Sequence, residues 1–172
     1  MDAMQTMLTR VSVKKYKSEQ VPKDLIDKII EAGLRAPSGL NKQSPIILAV
    51  TDRQVRDELS KLNAGKDPFF RADPFYNAPC VLVVLADKSV PTYMYDGSLV
   101  MENMLLAAHD LGLGACWIHR AKETFEQPEG KALLQKLGIE GDYEGIGNCI
   151  VGYPDGEIPA IKPTKEGRVY YI

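Results

Sequence analysis

The chain has 172 residues, a net charge of −2 at pH 7, 45% hydrophobic residues and 26% charged residues. This length is typical of one domain, which can bury about 70% of the surface that its unfolded chain exposes. Because there is no basic surplus to neutralise phosphates, the composition argues against a nucleic-acid-binding protein, although it leaves room for a cationic pocket that holds one phosphate.

Hydrophobic periodicity and turn residues predict alternating helices and strands. In the first half, the predicted elements are a helix over 2–9, a helix over 22–34, a strand over 46–51, a helix over 52–63 and a loop over 64–79. In the second half, they are a strand over 81–86, a helix over 91–111, a strand that begins within 112–118, a helix over 128–137 and a strand over 147–153. Pro22 suits a first helical turn, Pro37 ends a helix, and Asp52 can cap the next one.

Two segments indicate contacts beyond the single chain. The predicted helix over 91–111 has little polar surface in its second half, and a helix that is apolar on most sides is buried on most sides. In so small a protein this indicates a subunit interface. The final segment, Arg168-Val-Tyr-Tyr-Ile172, has strand composition but no obvious local partner, so we expect it to pair with a distant strand or another subunit. No repeat or linker divides the chain, and 1–172 is interpreted as one domain.

The cysteines and histidines argue against a disulfide framework and a metal centre. Cys80, Cys116 and Cys149 are an odd, scattered set, and each lies in an apolar run, which favours buried reduced thiols. With His109 and His119 as the only histidines, no metal site is predicted. The N-terminus lacks signal-peptide features and no run reaches transmembrane length, so we expect a cytoplasmic protein without a membrane partner.

A basic cluster near the N-terminus is suited to a phosphate. Arg10, Ser12 and Lys14 alternate, so an extended backbone would point all three to one side. Arginine supplies a bidentate fork, and Lys162 and Lys165 in the tail could add positive charge to the same pocket. Considered alone, the segment is more often an ordinary solvated edge.

The loop over 37–43 offers the polar groups that a flat heterocycle needs. It combines a hydroxyl, two amides and a backbone that a ligand can approach closely. The residues are Pro37, Ser38, Gly39, Asn41 and Gln43. Considered alone, the composition favours a helix stop followed by a turn.

Two further places offer contacts to a ring. Asn63 and Lys66 are close enough to face one ligand from a helix end, where an ammonium would stabilise negative charge on a reduced ring; surface solvation is the alternative. Ala115, Cys116 and Trp117 follow a glycine-rich turn against which a planar ring could lie. Cys116 is interpreted as a structural thiol rather than a nucleophile, and we find no acid–base pair of the hydrolase type.

Taken in order, these segments resemble the nitroreductase family. The matching motifs are Arg10-x-Ser12-x-Lys14, Ala36-Pro-Ser-Gly-Leu-Asn-Lys-Gln43, Asn63 with Lys66, Pro74-Phe-Tyr-Asn-Ala-Pro79, Leu111-Gly-Leu-Gly-Ala-Cys-Trp-Ile118, and Gly152-Tyr-Pro154 with Lys162 and Lys165. Together they cover nearly the whole chain and are far more specific than any one of them. The chain departs from the family where Ser-Pro follows Gln43 and where Thr164 replaces a common arginine.

The resemblance implies an α+β fold with a mixed central sheet flanked by helices, in an intertwined homodimer with one FMN in each of two interface pockets. The basic residues would hold the phosphate, and the loop over 37–43 would reach across from the other subunit. Asn63, Lys66 and residues 115–117 would surround the ring. The tail, about 154–172, would wrap onto the partner.

The implied activity is the reduction of nitroaromatics, quinones or similar acceptors by NADH or NADPH, with hydride passing through flavin N5 in a ping-pong sequence. The flavin performs this chemistry, so no catalytic side chain is predicted beyond Lys66 as an electrostatic stabiliser. The alternatives are a flavin-binding or storage module without significant turnover, and another flavin-dependent reductive activity on the same scaffold.

Overall fold

Helices and strands are interspersed along the computed structural model, which describes residues 2–65 and 73–172. Its helices are α1 Ala3–Thr9, α2 Lys23–Leu34, α3 Arg53–Ala64, α4 Tyr93–Asp110, α5 Ala121–Glu126 and α6 Pro128–Lys136, with a 3-10 turn at Gly39–Asn41. Its strands are β1 Pro45–Val50, β2 Cys80–Asp87, β3 Gly114–Ile118 and β4 Tyr143–Gly152. The α+β fold predicted from the sequence is confirmed.

The strands form one sheet in the order β1-β2-β4-β3, and every neighbouring pair is antiparallel. The parallel component of the predicted mixed sheet is an isolated bridge between Ser12 and Ala115. Because the backbone N–H of Val13 also donates to the Ala115 carbonyl at 3.0 Å, the segment around Val13 covers the outer edge of β3. The opposite edge strand, β1, pairs only with β2 among the described residues.

The sheet is the middle layer of three. Along β2, Leu82 and Val84 pack with Met101 and Met104 of α4, as does Ile29 of α2. The residues that alternate with them on β2 pack with α3, α5 and α6 on the other face. Both faces of β2 are therefore buried, which explains the continuous aliphatic run from which that strand was predicted.

The sequence did not predict α5, which is too short for a helical period to show. It begins after Arg120, whose left-handed backbone (φ 74°) turns the chain out of β3. Strand β4 begins at Tyr143, four residues before its predicted start, and continues past a register shift between Val84 and Leu85 of its neighbour β2. The first part of the strand was not predicted because it contains Gly145 and borders on Gly147, and glycine is uncommon in strands.

Several large apolar side chains remain exposed on this single chain. They include Met4, Met7 and Leu8 of α1, Met94, Tyr95 and Leu99 of α4, and Val169, Tyr170, Tyr171 and Ile172 of the tail. The tail beyond residue 155 is exposed throughout and forms no helix or strand. Within the described residues, no helix combines the length and apolar character needed to cross a membrane.

Candidate functional site

A cavity of about 470 Å³ opens where the end of β3 meets the end of α3. Five residues singled out from the sequence line it: Ser12, Lys14, Asn63, Cys116 and Trp117. They come from three separate segments, so the cavity exists only in the folded chain.

The basic segment is held against β3 by close backbone contact. The Val13 side chain is buried, whereas Ser12 and Lys14 on either side of it are exposed at the cavity. The approach depends on Gly114, because a Cβ there would lie 2.8 Å from the Val13 Cβ. The alternation in sequence thus becomes a hydroxyl and an ammonium on one wall.

Arg10 lies apart from these two residues in this chain. It lines a neighbouring cavity of about 260 Å³, together with His109 and Ile158, and its Nε is 3.7 Å from Glu102 Oε1. Arg10, Ser12 and Lys14 nevertheless all lower the pKa of the same thiol, that of Cys116. Burial raises the pKa of Cys116, while a hydrogen bond with Ser12 and the charges of Lys14 and Arg10 act in the opposite direction.

The loop over 37–43 has an unusual backbone. Leu40, Asn41 and Gln43 adopt left-handed φ values of 50°, 54° and 49°. Non-glycine residues in this region are strained and cluster at functional sites. Three within four residues mark this loop as a segment whose shape the rest of the protein enforces.

Helix α4 holds the loop through the side chain of Asp96. Buried Asp96 accepts hydrogen bonds from the Gly39 N–H at 3.0 Å and from the Thr92 hydroxyl at 2.9 Å. Within the loop, Ser38 Oγ accepts from the Gln43 N–H at 2.9 Å. None of the described residues of this loop lines the cavity that contains Lys14.

Asn63 lines the cavity and is also hydrogen-bonded to the turn after β3. Its side chain is buried, and its Nδ2 donates to the His119 carbonyl at 2.9 Å. Arg120, in the turn after β3, in return binds the end of α3: its Nη1 donates to the Ala64 carbonyl at 3.1 Å. These bonds fix the turn after β3 against the end of α3. Lys66, the predicted companion of Asn63, lies outside the described residues.

Other predicted site residues lie away from the cavity. Ala115 is on the same strand but faces the cavity that Arg10 lines. Lys162 and Lys165 are exposed on the tail. In the part of the chain that is described, no group of three His, Cys, Asp or Glu residues could hold a metal ion.

Tyr76 and Arg120 line the cavity and were not singled out from the sequence. Tyr76 belongs to the motif over 74–79, which was interpreted only as the approach to a strand. Its ring lies 5.8 Å from the Lys14 Nζ, a cation–π distance. An isolated tyrosine in a proline-rich loop carries no signal that would reveal this contact.

The model of the nitroreductase family matches residues 7–153. The chain belongs to the nitroreductase family. Similar proteins include one from Methanothermobacter thermautotrophicus, provisionally named NADH dehydrogenase/NAD(P)H nitroreductase, which is 32% identical over 68% of this chain and 60% of its own length. A protein of Archaeoglobus fulgidus with the same provisional name is 31% identical over 91% of this chain and 87% of its own.

A solved nitroreductase structure agrees over the whole chain. The FMN-bound nitroreductase of Bacteroides fragilis superimposes with a TM-score of 0.88 at 27% identity, covering 100% of this chain and 99% of its own. The similarity therefore includes the segments that form the cavity and also the tail.

Proposed function

We propose that this protein is an FMN-dependent NAD(P)H oxidoreductase that reduces nitroaromatics, quinones or similar acceptors. One observation carries the proposal: a member of the nitroreductase family places Ser12 and Lys14 on the wall of a cavity beside β3. The names of the two archaeal relatives and the FMN bound to the Bacteroides fragilis protein support it.

The residues present fit FMN. Its phosphate needs cations and hydrogen-bond donors, which Ser12, Lys14 and the nearby Arg10 offer. Its ring needs a flat wall, which β3 offers at Cys116 and Trp117. The bare Gly114 allows the donor segment and this wall to approach each other.

Bound FMN would supply the hydride chemistry, through its N5, between a nicotinamide and an acceptor. The chain would bind and orient the reactants. Lys14 would supply positive charge to a group that is anionic at its phosphate and, when reduced, at its ring. The turn over 118–120, fixed by Asn63 and Arg120, would keep the cavity wall rigid.

The proposal includes a homodimer, because parts of this chain point away from its own cavity. The strained loop over 37–43 is held on α4, outside that cavity, and would complete the partner's pocket. The exposed apolar residues of α1 and α4 would form the interface. A twofold interface is self-complementary, so one surface of this kind can pair with its own copy.

The tail would extend this interface. Its last residues, Val169 to Ile172, have strand chemistry and are exposed. The outer edge of β3 is covered, whereas a groove of about 530 Å³ runs along β1 and α6. We place the partner's tail at this edge strand, where it would pair with the open backbone groups.

The test is to purify the protein, record its visible spectrum, and measure oxidation of NADH and NADPH with a quinone or a nitroaromatic. We expect a yellow protein that one or both cofactors reduce. Lys14→Ala should lose flavin, whereas Lys23→Ala is the matched control, since Lys23 is exposed on α2 and pairs with Asp27 at 2.6 Å. A protein that takes up no FMN would contradict the proposal. A flavin-loaded protein that neither cofactor reduces would instead be a binding module.

A further inference from the structure

Tyr76 sits on a strained turn at the edge of the cavity. Its φ is 53°, and the next residue, Asn77, has a φ of 58°. A bulky aromatic residue in the left-handed region is a clear outlier, and such strain persists only where the surroundings enforce it. The surroundings therefore hold Tyr76 in a fixed position at the cavity wall.

The enforcing group is Asp73. Its carboxylate accepts hydrogen bonds from the backbone N–H of Phe75 at 3.0 Å and of Asn77 at 2.6 Å, which flank Tyr76. The Tyr76 N–H itself donates to the Asp73 carbonyl at 3.2 Å. The whole turn is thus wrapped around one side chain.

Helix α3 fixes Asp73 in turn. Arg56, which is only 2% exposed, donates from Nη2 to Asp73 at 2.7 Å, and the Ser60 hydroxyl donates to it at 2.7 Å. Arg56 Nε also donates to the Ala78 carbonyl at 3.1 Å, at the other end of the turn. A buried cation therefore anchors the turn from both sides.

The turn places the Tyr76 ring next to Lys14. The Tyr76 ring lies 5.8 Å from its Nζ, and both residues line the cavity of about 470 Å³ and a second, polar cavity of about 510 Å³ beside it. In the described part of the chain, no carboxylate forms a salt bridge with Lys14. An aromatic ring at this distance can restrain the ammonium without an ion pair.

We propose that Tyr76 is a positioning residue for Lys14, and that the Arg56–Asp73 pair holds the turn in the strained form that this requires. The inference rests on the proposed function. Held at the border of the two cavities, the Lys14 ammonium strengthens binding of the anionic nucleotide. It also makes the midpoint potential of bound FMN more positive, because it favours the more negative reduced form.

A double-mutant cycle tests the proposal. Tyr76→Leu and Tyr76→Phe are each made in the wild-type and in the Lys14→Met background, and FMN affinity is measured by quenching of flavin fluorescence. We expect Tyr76→Leu to weaken FMN binding about two- to five-fold, from the usual strength of an exposed cation–π contact. Tyr76→Phe retains the ring and should stay close to wild type. Both substituents share the left-handed backbone cost.

The background decides between two roles for the ring. If Tyr76 acts through Lys14, Tyr76→Leu has no further effect on affinity or midpoint potential in Lys14→Met. An equal effect in both backgrounds would mean that the ring contacts the ligand directly and would overturn the proposal. Unchanged affinity and potential in Tyr76→Leu alone would also overturn it.

The wild-type protein distinguishes a failure of the proposed function from a failure of the role assigned to Tyr76. A wild-type protein that binds no FMN would contradict the proposed function, whereas a wild-type protein that binds FMN as tightly as Tyr76→Leu contradicts only the present inference. Should Tyr76→Leu fail to fold, Ser60→Ala replaces it, since Ser60 contacts Asp73 but does not line the cavity. Its effect on FMN affinity should likewise disappear in Lys14→Met, and persistence there would refute the proposal.

Discussion

Replacing Asp73 by alanine should destabilise the protein far more than replacing a typical surface carboxylate. In the native structure this side chain accepts four hydrogen bonds, from Arg56, Ser60 and the backbone N–H groups of Phe75 and Asn77. Within residues 2–65 and 73–172, its removal leaves Asp57 as the one acidic partner of the buried Arg56. Breaking a buried ion pair from one side costs about 3–5 kcal/mol, and we expect Asp73→Ala to lie in this range.

The matched control is the other carboxylate on the same arginine. Asp57 lies 2.8 Å from Arg56 Nη1, but its side chain is 40% exposed, so Asp57→Ala should cost no more than about 1 kcal/mol. Both free energies of unfolding are measured in urea at one protein concentration, because an oligomer's stability depends on concentration. Equal losses, or a loss below about 1 kcal/mol for Asp73→Ala, would refute the reasoning.

The same carboxylate predicts a pH dependence. Burial alone would raise the pKa of Asp73, but hydrogen bonds from Arg56, Ser60 and the Asn77 N–H together hold it below its ordinary value. A pKa that is lower in the folded than in the unfolded state stabilises the fold above the unfolded value of about 3.9, and this contribution is lost as the pH falls through the folded value. Asp73→Asn should therefore flatten the fall in stability below about pH 4. An unchanged acid slope would contradict this assignment.

Three further predictions concern the cavity and the core. Arg10→Ala should weaken FMN binding by about 1.5–3 kcal/mol, the value of a charge-assisted hydrogen bond, while Lys23→Ala leaves it unchanged in the same titration. Gly114→Ala would press a Cβ to 2.8 Å from Val13, so we expect about 1–3 kcal/mol less stability in urea and weaker flavin uptake; a variant equal to wild type would contradict the close approach. Burial raises the pKa of Cys80 to about 12, so this thiol should not react with a thiol reagent at pH 8 until the protein unfolds, and rapid labelling of Cys80 in the native state would disprove its burial.

The sequence predicted the elements whose local pattern and tertiary role agree. Strand β2 is continuous and aliphatic because both of its faces are covered. Helix α5 was missed because six residues are too few to show a period. The left-handed residues Leu40, Gln43 and Tyr76 could not be predicted either, since glycine is the usual signal for that backbone. Here side-chain oxygens accept hydrogen bonds from the backbone of these turns, those of Asp96 and Ser38 in the first and those of Asp73 in the second.

The candidate site divides in a similar way. The alternation of Ser12 and Lys14 follows from the period of an extended strand, and the structure places both on one cavity. Asn63 lines the same cavity, and its contact with a ring stays a prediction. Its Nδ2 also donates to a carbonyl of the turn after β3, 56 residues along the chain, which no sequence pattern indicates. The ion pair between Arg56 and Asp73 joins a helix to a loop 17 residues away, and no sequence period links such positions.

The measurement that tests the central claim most directly is an anaerobic titration of the FMN-incubated protein with NADPH and, separately, with NADH. We predict that the protein, once freed of unbound FMN, retains the visible absorption of oxidised flavin. At least one of the two nicotinamides should then bleach this absorption stoichiometrically. Protein that retains no flavin absorption, or flavin that stays oxidised with both, would contradict an FMN-dependent NAD(P)H oxidoreductase.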